Sequence, residues 1–320
     1  MPSRRDILTA AGAISAAAFF RPVTSLFAAA AQPATPVNFK VPEGACDCHV
    51  HVFDPQRFPF FSGRTYTPEP ATVAELKEMH RKLRIDRVVI VQASVYGTDN
   101  AVTLDALKQL GSNARGVAVI EEHTHNTTLD EMQQGGVRGV RINMGGASEG
   151  ELPLVRRRMK ATLDRIGGRN WHLQVYLPLA VAAGLTEDVM AAPVPIVFDH
   201  FAGALAAGGV DQPGFNKVLK MVQTGKAYVK VSAVYRASKL ADYADAAPLA
   251  KALIAANPQR VLWGSDWPHP DTSSGRKAIE ISPLLPRDDG RLLNLLAAWV
   301  PEAAIRKTIL VDNPARLYGF

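Results

Sequence analysis

The alternation of short β-branched runs with longer amphipathic segments constrains this chain more than any other feature of its sequence. No Pro- or Ser-rich linker divides the series. The longer segments carry apolar residues three or four apart, the period of a helix with one buried face. Strands that alternate with helices are typical of a parallel sheet. The eight predicted strands are residues 46–52, 87–92, 116–120, 137–143, 172–177, 195–199, 228–232 and 261–265.

The helical segments and their ends complete the predicted fold. Glycines at 111, 167–168 and 225 mark helix ends. We expect a single closed (β/α)8 TIM barrel over residues 45–320, with its active site at the C-terminal ends of the strands. A doubly wound sheet is the alternative, but no Gly-x-Gly-x-x-Gly follows the first strand. Helices are predicted at 72–83, 101–110, 152–166, 180–191, 215–224 and 240–256, with closing helices at 291–299 and 303–310.

The N-terminus has the pattern of an export signal. Arg4-Arg5 precedes an uncharged run over 7–20, which is shorter than the roughly 20 residues of a bilayer-spanning helix. We predict a twin-arginine-like signal peptide over residues 1–31, a lead-in segment over 32–44, and a periplasmic or secreted mature protein. An uncleaved N-terminal anchor is the alternative. After processing, no stable membrane span is expected.

The charge balance points to a small acidic partner. Removal of Arg4, Arg5, Arg21 and Asp6 with the signal peptide lowers the formal net charge from +6 to +4. The longest basic run is 156–158, so nucleic-acid binding, which needs a dense basic stripe, is not predicted. A mild positive excess helps to attract a carboxylated small molecule. The sequence does not indicate an oligomeric state.

The first predicted strand carries two sets of side chains. Asp47, His49 and His51 share one parity, so two imidazoles should project side by side from its end. Cys46 and Cys48 share the other parity. A disulfide between them would be geometrically poor, so we expect outward-facing, buried free thiols that are not zinc ligands. A second pair, His123 and His125, lies among polar residues and is interpreted as a solvated loop.

Polar residues follow most of the predicted strands where a barrel would place its active site. His200 follows the sixth strand and Asp266 follows the eighth. Structural roles compete with functional ones: Asp266 could cap a helix, and His200 could be a core histidine. Lys230, inside the seventh strand, is predicted to be an ion-pair partner in the barrel interior. The remaining candidates at the mouth are Tyr66, Ser94, Arg141, Tyr176 and Arg236. Asn143, Gln174 and Tyr235 also lie at predicted strand ends and are assigned no role.

Several motifs resemble one enzyme family. Cys-Asp-Cys-His-Val-His-Val-Phe-Asp at 46–54, Phe-Asp-His at 198–200 and Gly-Ser-Asp-Trp-Pro at 264–268 resemble the amidohydrolase superfamily, in its amidohydrolase 2 branch. Arg-Thr-Tyr-Thr-Pro at 64–68 and Leu-Gln-Val-Tyr at 173–176 are similar to the 2-pyrone-4,6-dicarboxylate hydrolase-like lactonases. The resemblance covers nearly all of residues 44–320. It implies hydrolysis of a carboxylated lactone by water.

The resemblance also implies a chemistry without metal. Metal-dependent relatives carry a histidine at the mouth end of the fifth strand, where this chain has Leu177 before Pro178. Asp266 would then act as general base, and His200, His49 and His51 would polarise the scissile carbonyl. The alternative is one divalent metal such as zinc, held by His49, His51 and Asp266, since catalytic zinc accepts three protein ligands.

Substrate binding falls, by resemblance, to Tyr66, Ser94, Arg141, Tyr176 and Arg236. Arginine grips carboxylates through a planar fork of donors, so the two arginines imply an acidic ligand; a salt bridge that fastens a loop is the structural alternative. Pyrone dicarboxylate hydrolases carry a further arginine soon after the fourth strand. Residues 142–149 contain none, which favours one anionic group over two. Alternative functions are a sugar-acid lactone isomerase, a zinc-dependent amidohydrolase or decarboxylase, and a non-catalytic periplasmic binding protein.

Overall fold

Eight parallel strands form one barrel. The computed structural model describes residues 30–272 and 275–320, and in it each strand pairs with the next along the chain. The first and last strands meet through two backbone hydrogen bonds, from His51 N to the Trp267 carbonyl (2.8 Å) and from Asp266 N to the His49 carbonyl (2.9 Å). The predicted (β/α)8 barrel is confirmed. Its strands are β1 Cys46–Val50, β2 Arg87–Val91, β3 Ala114–Ala118, β4 Val137–Asn143, β5 His172–Tyr176, β6 Ile196–Phe198, β7 Ala227–Ser232 and β8 Val261–Gly264.

Helices cover the outside of the barrel. Buried residues on their inner faces, such as Leu76 and Met79, pack in a layer with outward-facing strand residues such as Ile90 and Val175. A π-helical turn, Thr308–Asp312, joins the last two helices. The helices are α1 Val73–Leu83, α2 Ala101–Leu110, α3 Asn126–Gln134, α4 Leu152–Ile166, α5 Leu179–Gly184, α6 Thr186–Ala191, α7 Phe215–Gln223, α8 Val234–Ala237, α9 Ala247–Ala256, α10 Asp289–Trp299, α11 Ala303–Lys307 and α12 Asn313–Tyr318.

Several helical segments differ from their prediction, including the short helices α8 and α12, which were not predicted. The segment predicted as one helix over 180–191 is divided into α5 and α6 at Leu185. The segment predicted to start at 240 becomes α-helical only in α9, because Tyr243 has a left-handed backbone and Pro248 then occupies the first turn. Helix α3 was not among the predicted helices, since it buries only Leu129 and Met132 and so has a weak apolar pattern.

The parity predicted for β1 is wrong. The register of β1 against β2 shifts between Asp47 and Val50, so strict alternation fails at this point. Cys46 and Cys48 join an apolar cluster inside the barrel with Tyr228 and Tyr318. Asp47 faces away from the lumen. Both cysteines are free and buried, as predicted.

Asp47 fastens the two ends of the sheet together. Its carboxylate accepts hydrogen bonds from Ser265 N (2.9 Å) and Ser265 Oγ (2.5 Å), and His80 of α1 lies 3.3 Å away. Because these partners come from α1 and the end of β8 while Asp47 lies in β1, Asp47 holds the His49 and His51 segment against the Asp266 segment.

The lead-in segment runs along the outside of the barrel. Thr35 donates to Asp288, and Asn38 N donates to Asn294 of α10. The predicted signal peptide falls on residues 1–31, of which 1–29 lie outside the described residues. Among the helices of the described part, none combines the length and the hydropathy needed to cross a bilayer.

Candidate active site

The C-terminal ends of the strands surround a cavity of about 560 Å³. It opens at the end of the barrel that the fold predicts for an active site. His49 lies below its floor and is fully buried. The other predicted site residues all line the cavity: His51, Tyr66, Ser94, Arg141, Tyr176, His200, Arg236 and Asp266.

Asp266 is the centre of the constellation. Its Oδ1 lies 3.5 Å from His49 Nε2, 3.7 Å from His51 Nε2 and 3.7 Å from His200 Nε2. These separations exceed direct hydrogen bonds. One carboxylate oxygen therefore faces three imidazole nitrogens with room for an oxygen atom of water or substrate to bridge them.

The second oxygen of Asp266 is already occupied. Oδ2 accepts hydrogen bonds from Tyr235 Oη (2.6 Å) and Arg236 Nε (3.0 Å). Arg236 also donates to Thr272, in the loop after β8. These contacts fix the carboxylate so that only Oδ1 is directed at the histidines.

At the ends of three strands, a residue with a left-handed backbone conformation turns the chain at the cavity. His200 (φ 47°), Ala233 (φ 50°) and Asp266 (φ 66°) follow β6, β7 and β8. Such angles are uncommon for residues other than glycine and cluster at functional sites. Gly264 makes the approach of β1 possible, because a Cβ there would lie 2.8 Å from the Cβ of His49.

A charged network lies beneath the cavity floor. Asp199 accepts hydrogen bonds from Arg141 Nε and Gln174 Nε2, each at 3.0 Å on Oδ2. Lys230 Nζ lies 3.5 Å from Asp199 Oδ1, and both side chains are fully buried. The prediction of Lys230 as an ion-pair partner in the barrel interior is confirmed.

Burial and neighbouring charges set the protonation states. Burial raises the pKa of Asp266, but His200, Arg236, His49 and His51 outweigh it and hold that pKa well below its usual range. Burial lowers the pKa of His51 and of His200 to about 4, although Asp266 opposes it. Burial likewise holds the pKa of His49 well below 6.5. Near neutral pH the site therefore combines an ionised carboxylate with neutral imidazoles.

Hydrogen bonds restrict the tautomers of these imidazoles. His51 Nδ1 lies 2.7 Å from the Val91 carbonyl, which can only accept, so Nδ1 carries the proton and Nε2 is an acceptor. His200 Nδ1 lies 2.8 Å from Ser232 Oγ. A hydroxyl both donates and accepts, so His200 can adopt either tautomer.

The site carries an excess of positive charge. Arg141, Lys230 and Arg236 face two carboxylates, Asp199 and Asp266. Both predicted substrate-binding arginines thus form salt bridges while lining the cavity. The Arg141 guanidinium also lies over the Tyr176 ring, 5.6 Å from its centroid. The surplus cation favours an anionic ligand.

Several residues at the site were given no role by the sequence. Asn143, which shares its parity with Arg141 at the end of β4, lines the cavity. Tyr235 directly precedes Arg236, yet its bond to Asp266 depends on how helix α8 turns after β7. Thr272 and Arg276 come from the loop after β8, where no periodicity identifies them.

Two groups of side chains at the site have ligand atoms close enough to hold a metal ion. His49, His51 and Asp266 offer ligand atoms that all lie within 4.8 Å of one another, and His49, Asp199 and His200 form a second such group. His51 Nε2 presents a lone pair. Three protein ligands and an open position suit catalytic zinc, so the positions of the first group fit the ion.

The parallel barrel with a carboxylate and histidines at its mouth indicates a barrel hydrolase. Comparisons with known proteins lead to the same class. The family model described as "Amidohydrolase" matches residues 46–320, and the chain belongs to this family. A 4-sulfomuconolactone hydrolase of Rhizobium radiobacter is 36% identical over 297 residues, 89% of this chain and 93% of that protein.

Two further matches agree in extent. A 2-pyrone-4,6-dicarboxylate hydrolase of Comamonas testosteroni is 35% identical over 303 residues, 90% of this chain and 94% of that protein. An apo crystal structure from Agrobacterium tumefaciens superposes with a TM-score of 0.75 at 25% identity, covering 89% of this chain and 99% of that one. The similarity extends through the whole barrel.

Proposed function

We propose that this protein hydrolyses an anionic lactone to the open hydroxy acid. The observation that carries the proposal is the ionised Asp266 with one oxygen directed at three neutral imidazoles, on the floor of a cavity with surplus positive charge. The two relatives described above act, by their names, on a sulfonated lactone and on a pyrone dicarboxylate. Both names describe ring esters with anionic substituents.

In the proposed reaction, a water molecule bridges Asp266 Oδ1 and the imidazoles. Its oxygen attacks the lactone carbonyl carbon while Asp266 accepts one of its protons. Donors at the Nε2 positions stabilise the negative charge that develops on the carbonyl oxygen. The ring C–O bond then breaks, and the departing ring oxygen takes the proton from Asp266. The neutral tautomer of His51 has an acceptor at Nε2, which leaves His49 and His200, each in its Nε2–H tautomer, to supply the donors.

The leaving group narrows the choice of substrate. We propose lactones whose ring oxygen leaves as a stabilised anion, such as the enolate of an enol lactone, because such a group depends least on a proton from Asp266, which is ionised near neutral pH. Arg141 and Arg236, which both line the cavity, would bind the anionic substituent.

The lactone proposal is tested by a screen that follows acid release. A carboxylated enol lactone, its methyl ester and a sulfonated analogue form the matched set. We expect turnover of the anionic compounds and at least about tenfold lower kcat/KM for the methyl ester, from the loss of an arginine contact. Turnover without acid release would indicate an isomerase, and binding without turnover would indicate a binding protein; either result would overturn the proposal.

We also propose that hydrolysis does not require a metal. The support is the resemblance, with Leu177 where metal-dependent relatives have histidine. Zinc at His49, His51 and Asp266 would supply an activated hydroxide in the competing mechanism. Elemental analysis of purified protein, with assays before and after chelation, distinguishes them. Loss of turnover on chelation and its recovery with zinc would reverse this proposal.

Export to the periplasm remains a further proposal. It is supported by Arg4-Arg5, the uncharged run and the small residues at 28–31. Fractionation of cells expressing the full chain, compared with an Arg4→Lys, Arg5→Lys variant, tests it. Equal cytoplasmic retention of both proteins would contradict it.

A further inference from the structure

The fully buried Lys230 lies directly behind the first histidine of the His-x-His pair. Its Nζ is 3.2 Å from His49 Nδ1, 2.6 Å from Gln174 Oε1 and 3.5 Å from Asp199 Oδ1. An ammonium group has three N–H donors and no acceptor. Any neighbour that is hydrogen-bonded to this ammonium must therefore present a lone pair to it.

Gln174 is consistent with this arrangement. Its amide nitrogen donates to Asp199 Oδ2 at 3.0 Å, which turns its amide oxygen toward Lys230. Burial lowers the pKa of Lys230, but Asp199, fully buried 3.5 Å away, opposes this lowering and favours the ammonium form. The lysine is thus held in place by two acceptors before His49 is considered.

His49 could in principle orient its proton in two ways. Its Nδ1 lies 3.2 Å from Asp199 Oδ1 as well as from Lys230 Nζ. The contact with Asp199 does not have hydrogen-bond geometry, and among the described residues Asp199 Oδ1 has no hydrogen-bond partner. A proton on Nδ1 would instead press against the protons of Lys230. The contacts therefore favour the tautomer in which Nδ1 accepts and Nε2 carries the proton.

The consequence appears on the other side of the ring. His49 Nε2 is buried, has no hydrogen-bond partner among the described residues, and lies 3.5 Å from Asp266 Oδ1. It is a fixed donor directed at the place where water or the carbonyl oxygen would lie. His51 has the opposite tautomer, with an acceptor at Nε2.

We propose that Lys230 is a positioning residue that holds His49 in the Nε2–H tautomer, so that the His-x-His pair presents one donor and one acceptor to the reacting atoms. The donor stabilises the carbonyl oxygen, and the acceptor orients the water. The same arrangement opposes metal binding, because a metal held by His49, His51 and Asp266 needs lone pairs on both Nε2 atoms. The catalytic part of this inference rests on the proposed lactone hydrolysis, whereas the tautomer does not.

The test begins with nitrogen NMR of the histidine rings in the full-length, ¹⁵N-labelled wild-type protein at neutral pH. The spectrum of His49→Gln identifies the His49 signals. We expect a protonated Nε2 and an unprotonated Nδ1. A protonated Nδ1 in the wild-type protein would overturn the proposal, and this measurement does not depend on any Lys230 variant folding.

The second measurement compares Lys230→Met with Lys226→Met, which removes an exposed lysine just before β7. Without the ammonium, we expect His49 Nδ1 to be protonated and to face Asp199. An unchanged tautomer in folded Lys230→Met would overturn the proposal, whereas Lys226→Met should match the wild type.

Two functional measurements, of kcat and of zinc affinity, are made alongside the NMR measurement of the tautomer. Loss of one fixed donor should lower kcat about 100-fold in Lys230→Met with little change in KM. Zinc affinity, measured by competition with a chromophoric chelator, should rise at least about tenfold, since partners behind a ligand typically alter affinity by this amount. Unchanged kcat and unchanged zinc affinity in a variant with the altered tautomer would overturn the role assigned to Lys230. If no lactone is turned over while the tautomers behave as expected, the proposed function alone fails.

Discussion

The two ends of the barrel lumen contain buried imidazoles in contrasting surroundings. At the mouth, His49, His51 and His200 surround an ionised carboxylate beneath an open cavity. At the base, His172 has neither ring nitrogen hydrogen-bonded within the described residues, and its ring packs against Tyr318, with centroids 5.1 Å apart. Burial keeps the histidines neutral at both ends, since the pKa of His172 falls to about 3.

This difference shows that buried histidines alone do not form an active site. The base is filled by the C-terminal residues: Tyr318 packs with Cys46 and Cys48, and the Arg115 guanidinium donates to the Tyr318 and Gly319 carbonyls. The mouth has carboxylates, arginines and space for a ligand. We therefore expect changes at the mouth to affect turnover and changes at the base to affect stability.

The largest expected effect is at the mouth. Asp266→Asn should lower kcat at least about 100-fold, because an amide cannot accept the proton of the attacking water. Steady-state kinetics on a lactone found by the screen, with circular dichroism to verify folding, measures it. Activity retained by a folded variant would remove Asp266 from its proposed role.

The complementary change is at the base. Tyr318→Ala should lower the free energy of unfolding by about 3 kcal/mol, because it leaves a cavity where a large buried ring packed. The kcat of the folded variant should stay within about twofold of wild type. Urea denaturation and kinetics measure the two quantities, and a large loss of kcat without loss of stability would break the contrast between the ends.

Lowering the pH should lower the free energy of unfolding, because buried histidines at both the mouth and the base of the barrel resist protonation in the folded protein. His51, His200 and His172 have pKa values of about 4, 4 and 3 in the folded protein, against 6.5 for an ordinary histidine. Between pH 6.5 and 4 the unfolded chain therefore binds more protons, so the free energy of unfolding should fall as the pH is lowered. Activity should be nearly constant from pH 8 to 6 and fall several-fold near pH 4, as His51 loses its acceptor. Stability that rises on acidification would contradict these assignments.

The smallest effect is expected for the other His-x-His pair. His123 and His125 are exposed in the loop before α3. Replacing both with glutamine should change stability by less than about 0.5 kcal/mol and leave kcat unaltered. A substantial loss of activity would show that the solvated interpretation of this loop is wrong.

The sequence predicted the barrel well because its signals are local. Strand runs and helix periods arise from neighbouring residues, so all eight strands were found. The errors concerned boundaries, the division of the segment 180–191 and the helices α3, α8 and α12. The candidates at the strand ends also meet in one cavity, since parallel strands bring their carboxyl ends together. The parity of Cys46 and Cys48 failed because a register shift depends on strand pairing, which local pattern does not reveal.

The sequence by itself determined the order of the strands and helices. It also determined which kinds of side chain, carboxylate, imidazole and guanidinium, lie at the mouth of the barrel. Only the tertiary structure decided which of these side chains contact one another. Tyr235 and Arg236 donate to one oxygen of Asp266, and Lys230 lies behind His49. Hydrogen bonds between residues as far apart as His49 and Lys230 depend on three-dimensional direction and distance. Those contacts set protonation and tautomer, and hence which nitrogen donates and which accepts.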